Sequence, residues 1–246
     1  MTSQGVLLET HDLTMQFGGV IAVNHVNFSL DVGELRCLIG PNGAGKSTFF
    51  KCLIGQLTPT VGRIELNGYD IVGAAPHQIA RQGVAIKTQV PSLFDGLSAA
   101  EHLRLAARRL NDRSTTTAKV EEILELTGLT GQANQIVNEL SHGQRQWLEL
   151  GVVMASDPHL MLLDEPTAGM THQEVIQTAE LIRRISEGRS LIIVEHDMQF
   201  IRMIAQKVTV FHQGRILVED TMENIMRNQQ VRDVYLGKQA SGEPAC

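Results

Sequence analysis

The chain has 246 residues, 43% of them hydrophobic, enough apolar material for one large domain or two modest ones. Its net charge of -6 excludes a general electrostatic affinity for nucleic acid or for an anionic membrane surface. No apolar run reaches the ~18 residues of a spanning helix, the stretch MTSQGVLLETHD does not read as a secretory signal, and Cys37, Cys52 and Cys246 lack metal-site spacing, the pattern of a reduced chain with inert thiols.

Taken in order, GVLLETHDLTMQF, VIAVNHVNFSLDVG and, further on, GRIELNGYDI alternate apolar and polar residues between Gly, Asn and Asp, and predict an antiparallel sheet. Between them ELRCLIG is a short apolar strand that runs into a glycine-rich turn. GVAIKT, HLMLLD and SLIIVE read as fully buried parallel strands. Helices are predicted between them, with capping boxes at Ser98/Glu101 and Thr171/Glu174. The stretch 90–157 carries helical patterns (AEHLRLAARRL, AKVEEILELTGL, RQWLELGVVMA) and no convincing strand. Near the end, KVTVFHQGRILVE predicts a hairpin turning at Gln213-Gly214, and a short helix follows Asp220. The expected fold is α/β. A parallel-sheet core over 1–89 and 158–246 includes an N-terminal antiparallel β subdomain, and a helical subdomain over 90–157 is inserted into it.

GPNGAGKST at 40–48 fits G-x-x-x-x-G-K-[ST] and stands between a strand and a helix. Glycines there let backbone N–H groups turn toward phosphate oxygens, and the helix N-terminus adds a favourable field. Gly40, Pro41, Asn42, Gly43, Ala44, Gly45, Lys46, Ser47 and Thr48 are therefore candidate nucleotide-binding residues, with Lys46 on the β/γ-phosphates and Ser47 on Mg²⁺. Asp164 and Glu165 end the strand HLMLLD, where open parallel sheets bind ligands. Asp164 suits Mg²⁺ through water, and Glu165 suits the attacking water. His196 ends another strand at the same sheet edge, a structural residue or a phosphate-facing one. Gln89 follows a third strand and offers an uncharged oxygen to Mg²⁺ or to the catalytic water. LSHGQRQW at 140–147 carries a further capping box, Ser141 with Gln144.

In this order, GPNGAGKST, Gln89, LSHGQ, HLMLLDEP and His196 resemble the motifs of an ATP-binding-cassette (ABC) ATPase over the whole chain. The resemblance implies a P-loop NTPase (RecA-like) core, ATP and Mg²⁺ as cofactors, and ATP hydrolysis with Glu165 and His196 as catalytic residues. It implies that two cassettes pair head to tail, so that Ser141, Gly143 and Gln144 of the signature helix face the γ-phosphate on the partner. Phe17, in MQFGGVIAV, matches the aromatic that stacks on adenine, with a core phenylalanine as the alternative. FGGVIAVNHVNFSL, EPTAGM and VRDVYLG look like the branched-chain amino acid and urea uptake group, and LSHGQRQWLELG looks closest to its urea-transporter cassettes.

The function implied is the ATPase subunit of an importer of a small polar solute, urea ahead of branched-chain amino acids. A soluble cassette acting on ribosomes or DNA fits less well: there is one cassette, no long insertion, no CxxC pair and an acidic charge balance, so no nucleic-acid partner is expected. The partners implied are a second, different cassette subunit, two transmembrane permease subunits and, indirectly, a periplasmic solute-binding protein. The location implied is the cytoplasmic face of the inner membrane, as a peripheral subunit. Two positions depart from the family pattern. His142 stands where the signature commonly has glycine, and AGMT replaces the commoner SALD after the second carboxylate pair. His142 is either a polar spacer over the helical subdomain or a permease surface, or a group facing the partner's phosphate.

Overall fold

Alternation of apolar and polar residues builds the first layer. Val6–Phe17 (β1), Val20–Asp31 (β2), Val61–Leu66 (β4) and Tyr69–Asp70 (β5) form an antiparallel sheet in the order β2-β1-β4-β5. The structure is a computed structural model in which residues 5–89, 92–108 and 112–236 are described, apart from the side chains of Arg113 and Leu236. Residue 90, the expected start of the helical insertion, and Cys246 lie outside them.

The apolar runs build the second layer. Leu35–Ile39 (β3), Val84–Lys87 (β6), Leu160–Asp164 (β7), Ser190–Val194 (β8), Lys207–His212 (β9) and Arg215–Asp220 (β10) form a six-stranded sheet in the order β10-β9-β3-β8-β7-β6. All its neighbours pair in parallel except β9 with β10. That hairpin turns at Gln213 and Gly214, both at positive φ (49° and 77°), the geometry of a tight two-residue turn. β3 and β8 are buried along their whole length, as the apolar runs predict. GVAIKT is a correction: β6 has only β7 beside it, so its middle two residues are half-buried and one edge stays open.

Lys46–Leu53 (α1) lies between the two layers. Phe49 on it meets Phe28 of β2 and Phe211 of β9, with ring centroids 5.5 and 5.1 Å apart. The short helix Pro76–Arg81 (α2) leads into β6. Between β6 and β7 the described elements are Ala99–Ala107 (α3), Arg113–Thr127 (α4), two 3-10 turns and His142–Met154 (α5). A Cβ at Gly151 of α5 would lie 2.9 Å from Ile123 and 3.1 Å from Leu103, so this glycine permits the close approach of α3 and α4. These helices share one apolar cluster with a face of the six-stranded sheet. His172–Ile185 (α6), Met198–Ile204 (α7), Met222–Arg227 (α8) and Gln229–Leu236 (α9) are the remaining helices of the described residues. Among the described residues no helix is long and apolar enough to cross a membrane. Cys37 and Cys52 are free and buried, and burial raises both thiol pKa values, that of Cys52 to about 11.

Candidate active site

The sheet brings four chain segments to one edge, because β3, β8, β7 and β6 are parallel neighbours whose C-termini point the same way. The glycine-rich turn follows β3, His196 follows β8, Asp164 ends β7 with Glu165 next after it, and Gln89 stands two residues past β6.

The turn depends on its glycines. Gly45 is the N-cap of α1 at φ 103°, and a Cβ there would sit 2.3 Å from the Ala22 carbonyl oxygen. A Cβ on Gly40 would sit 2.3 Å from the Phe211 carbonyl oxygen. No side chain caps α1, so its first-turn N–H groups face a cleft of about 450 Å³. Phe17, Ala22, residues 42–48, Glu165 and Val194 line that cleft. Phe17 ends β1 and is 46% exposed, so it is not a core residue. Lys46 Nζ donates to the carbonyls of Gly40 (2.6 Å) and Pro41 (3.1 Å). Burial lowers its pKa, against the opposing pull of Glu165 and Asp164.

The carboxylates form one connected group. Gln89 Nε2 donates to Glu165 Oε2 at 3.1 Å, and His196 Nδ1 lies 3.4 Å from Glu165 Oε1. Glu165 has φ 46°, a left-handed backbone that costs a non-glycine residue about 1–3 kcal/mol and recurs at functional sites. Burial, then Glu165 and Glu195, push the Asp164 carboxyl above the usual aspartate range, while Lys87 and Lys46 pull it down. A divalent cation would reverse that push. The oxygens of Ser47, Asp164 and Gln89 suit a hard cation such as Mg²⁺, and the cradle, whose turn only glycine allows at Gly40 and Gly45 and which leads into the uncapped N-terminus of α1, suits a polyphosphate.

The signature residues do not line this cleft. Ser141 Oγ accepts from the Gln144 N–H (3.3 Å), and Gln144 Oε1 accepts from the Ser141 N–H (2.9 Å). A Cβ on the buried Gly143 would fall 2.2 Å from Glu174 Oε1, the carboxylate that closes the Thr171 capping box of α6. The spacer placement of His142 is not what is found. Its Nε2 lies 2.8 Å from the Ala168 carbonyl oxygen and so carries the donated proton. A first-turn side chain leans back toward the helix N-terminus. There Gly169, without a Cβ, leaves room for the ring: a Cβ would lie 2.9 Å from Nε2.

Sequence reasoning missed three residues. Glu195 is buried at the end of β8 and accepts from the N–H and hydroxyl of Thr167 and from the N–H groups of His196 and Asp197. It holds the loop after Glu165 and the turn carrying His196 together. Its signal was an acid ending an apolar strand, the same one that marks Asp164. Lys87 and Glu149 form a buried ion pair at 3.2 Å. Lys87 ends a strand and Glu149 interrupts an apolar helix face, but no sequence spacing couples two residues 62 positions apart.

Comparison with known proteins bears on this geometry. The profile of the family described as ABC transporter matches residues 23–168. The high-affinity branched-chain amino acid transport ATP-binding protein BraF of Pseudomonas aeruginosa is 37% identical over 94% of this chain and 98% of its own length. LivG of Escherichia coli K12, of the same description, is 36% identical over 94% of this chain and 98% of its own length. The arabinose import ATP-binding protein AraG of Chromohalobacter salexigens is 36% identical over 91% of this chain and 48% of its own length. Among solved structures, an ATP-binding cassette of an ABC transporter in its ADP conformation superposes with a TM-score of 0.85 at 24% identity, covering 95% of this chain and all of that one. The cbiO1 subunit of Clostridium perfringens, part of the transporter complex cbiONQ, gives 0.84 at 26% identity over 95% and 96% of the two chains.

Proposed function

The chain belongs to the ABC transporter family and is an ATP hydrolase of that family; on that premise we propose that it powers an importer for branched-chain amino acids or a chemically close solute. The observation that carries the hydrolytic part is the meeting of Gln89, Glu165 and His196 beside the glycine cradle. Lys46 supplies a point charge to the β- and γ-phosphoryl oxygens, and Phe17 stacks on the base. Glu165 orients the attacking water and takes its proton. Gln89 and His196 hold that carboxylate in place and border the γ-phosphate. Mg²⁺, held by Ser47, Asp164 and Gln89, would neutralise phosphate charge. Ser141, Gly143 and Gln144 complete the site of a second cassette in a head-to-tail pair, for the reason that makes a helix N-terminus an anion site.

BraF and LivG support the branched-chain reading over urea, because they match along nearly the full length of both chains. AraG, named for arabinose, shares the same 36% identity as LivG but over 48% of its own length, as expected of a subunit type that does not touch the solute. The partners are a second cassette and two permease subunits, with a periplasmic binding protein acting through them, at the cytoplasmic membrane face. Residues 90–157 form the segment that moves with nucleotide. The stretch from Gln89 to Glu101 docks the permease, and there Phe94 is 66% exposed while its N–H donates to His102 Nε2 at 2.8 Å. Purification with its membrane partners into proteoliposomes tests this reading. Leucine with a matching binding protein should stimulate phosphate release, and stimulation by urea alone would return the assignment to urea.

A further inference from the structure

We propose that Glu149 is a positioning residue that couples Gln89 to the signature helix by holding both flanks of Gln89 on α5. Its Oε2 pairs with Lys87 Nζ at 3.2 Å, and its Oε1 accepts from the Ser92 N–H at 3.1 Å. One carboxylate thus grips the chain two residues before Gln89 and three residues after it. Both ion-pair side chains are almost fully buried, Lys87 at 2% and Glu149 at 6% exposure.

The same helix begins at the signature. Glu149 stands eight positions after Ser141, about 12 Å of helix at 1.5 Å per residue. α5 is one uninterrupted helix over that length, with Gly143, Gln146 and Leu148 buried along it. A displacement of Gln89 therefore reaches the N-terminus of α5 without passing through a flexible joint. Lys87 also stands opposite Leu163 in the β6–β7 register, one residue before Asp164, so the cation of the pair lies beside the Asp164–Glu165 group.

Stability alone is a poor reason for such a pair. Two charges lose their hydration on burial, and apolar side chains of similar volume would hold the same elements at least as firmly. What the pair adds is direction: it fixes where the Gln89 flanks sit relative to α5, and it resists separation more than it resists joint movement.

The inference rests on the reading that Gln89 and the signature helix act on nucleotide. Its test is the double variant Lys87→Met/Glu149→Leu in the full-length chain, because the apolar pair leaves no unpaired charge to unfold it. Thermal melting checks the fold, equilibrium binding of a fluorescent ATP analogue checks the cradle, and phosphate release gives kcat. We expect a folded chain with ATP affinity within about twofold of wild type and kcat lowered by about tenfold or more, the scale of catalytic loss from misplacing a positioned group. The single variant Glu149→Leu should match the double in kcat, since it already frees both flanks. A folded double variant with wild-type kcat overturns the proposal. So does a loss of ATP affinity as large as the loss of kcat, which would mark a general structural role. A wild-type chain that releases no phosphate, or whose Lys46→Ala variant releases it as fast, instead overturns the functional reading beneath it.

Discussion

Replacing Glu165 by Gln separates the chemistry of this carboxylate from its architecture. The carboxylate accepts from Gln89 Nε2 at 3.1 Å and faces His196 Nδ1 at 3.4 Å, and its side chain is 28% exposed. A glutamine in the same rotamer keeps a carbonyl oxygen for Gln89 and turns its amide N–H toward His196 Nδ1, which accepts once the ring takes the Nε2–H tautomer. Both contacts survive, and the left-handed backbone at φ 46° is no worse for Gln than for Glu. Stability should therefore stay within about 0.5 kcal/mol of wild type, under about 2 °C in Tm for a chain of this size. Catalysis loses its base. A positioned general base contributes about 10²–10⁴-fold, or about 2.7–5.4 kcal/mol of barrier at 1.36 kcal/mol per decade. Phosphate release at saturating Mg-ATP should fall by that factor while ATP binding, followed by equilibrium dialysis, is kept. Size exclusion with Mg-ATP should then show an accumulated dimer. Turnover within threefold of wild type would move the base elsewhere, with His196 the next residue in reach. Loss of ATP binding would show that the carboxylate shapes the cleft as well as the chemistry.

Lys46→Ala removes the cation that rests on the Gly40 and Pro41 carbonyls. Phosphate release should drop by at least about a hundredfold with an unchanged circular dichroism spectrum, and normal turnover would remove the glycine cradle from the mechanism. Asp164 has its folded pKa raised by burial and then by Glu165, so the native state binds the extra proton, and metal-free stability falls as pH rises from the ordinary aspartate range through the raised value. Asp164→Asn should flatten that fall and lift the metal-free Tm at pH 7 by about 1–3 °C, while abolishing the added stability that Mg²⁺ gives with ATP; an unchanged Tm in scanning calorimetry would count against the charge crowding. His142→Gly loses the 2.8 Å bond to Ala168, about 1 kcal/mol, and places glycine in a helical turn, about 0.5–1 kcal/mol more. Its Tm should drop by roughly 3–8 °C, and a drop under 1 °C would mean that the bond contributes nothing in solution.

Much of this site could be read in the sequence because its parts are local. GPNGAGKST states its own geometry, since Gly40 and Gly45 stand where a Cβ would strike a backbone carbonyl. The capping boxes at Ser98, Ser141 and Thr171 depend on residues three apart, and all three form. The strands around them are apolar from end to end, and strand ends mark the ligand edge whatever the loops do. What escaped is long-range. GVAIKT is as apolar as its neighbours, and only the strand order makes it an edge. Glu149 sits in WLELGVV like any acid on a helix, and only the fold places Lys87 and Ser92 against it. Arg36, inside the apolar run ELRCLIG, is buried against Glu219, which reaches it from a hairpin 183 residues further along the chain. Pairs of this kind have no period, so no pattern in one segment announces them.

His142 shows how a single departure from a motif acquires a physical role through its surroundings. At the first position of α5 the backbone accepts any residue, so glycine is not required there, whereas a Cβ at Gly143 would push aside the Glu174 carboxylate that closes the cap of α6. The imidazole reaches the one stretch of the following loop without a Cβ, Gly169, and donates to the carbonyl just before it. That loop begins at Glu165 and is held from its other side by Glu195 through Thr167. In the head-to-tail pairing proposed above, Ser141 faces the partner's phosphate, while His142, one residue on, holds the loop of the chain's own carboxylate. The two sites of a dimer would then be joined through one hydrogen bond of about 1 kcal/mol. A bond of that size shifts a two-state balance by about fivefold, with RT near 0.59 kcal/mol. It is strong enough to bias when the loop and the signature helix move together, and too weak to prevent them from parting.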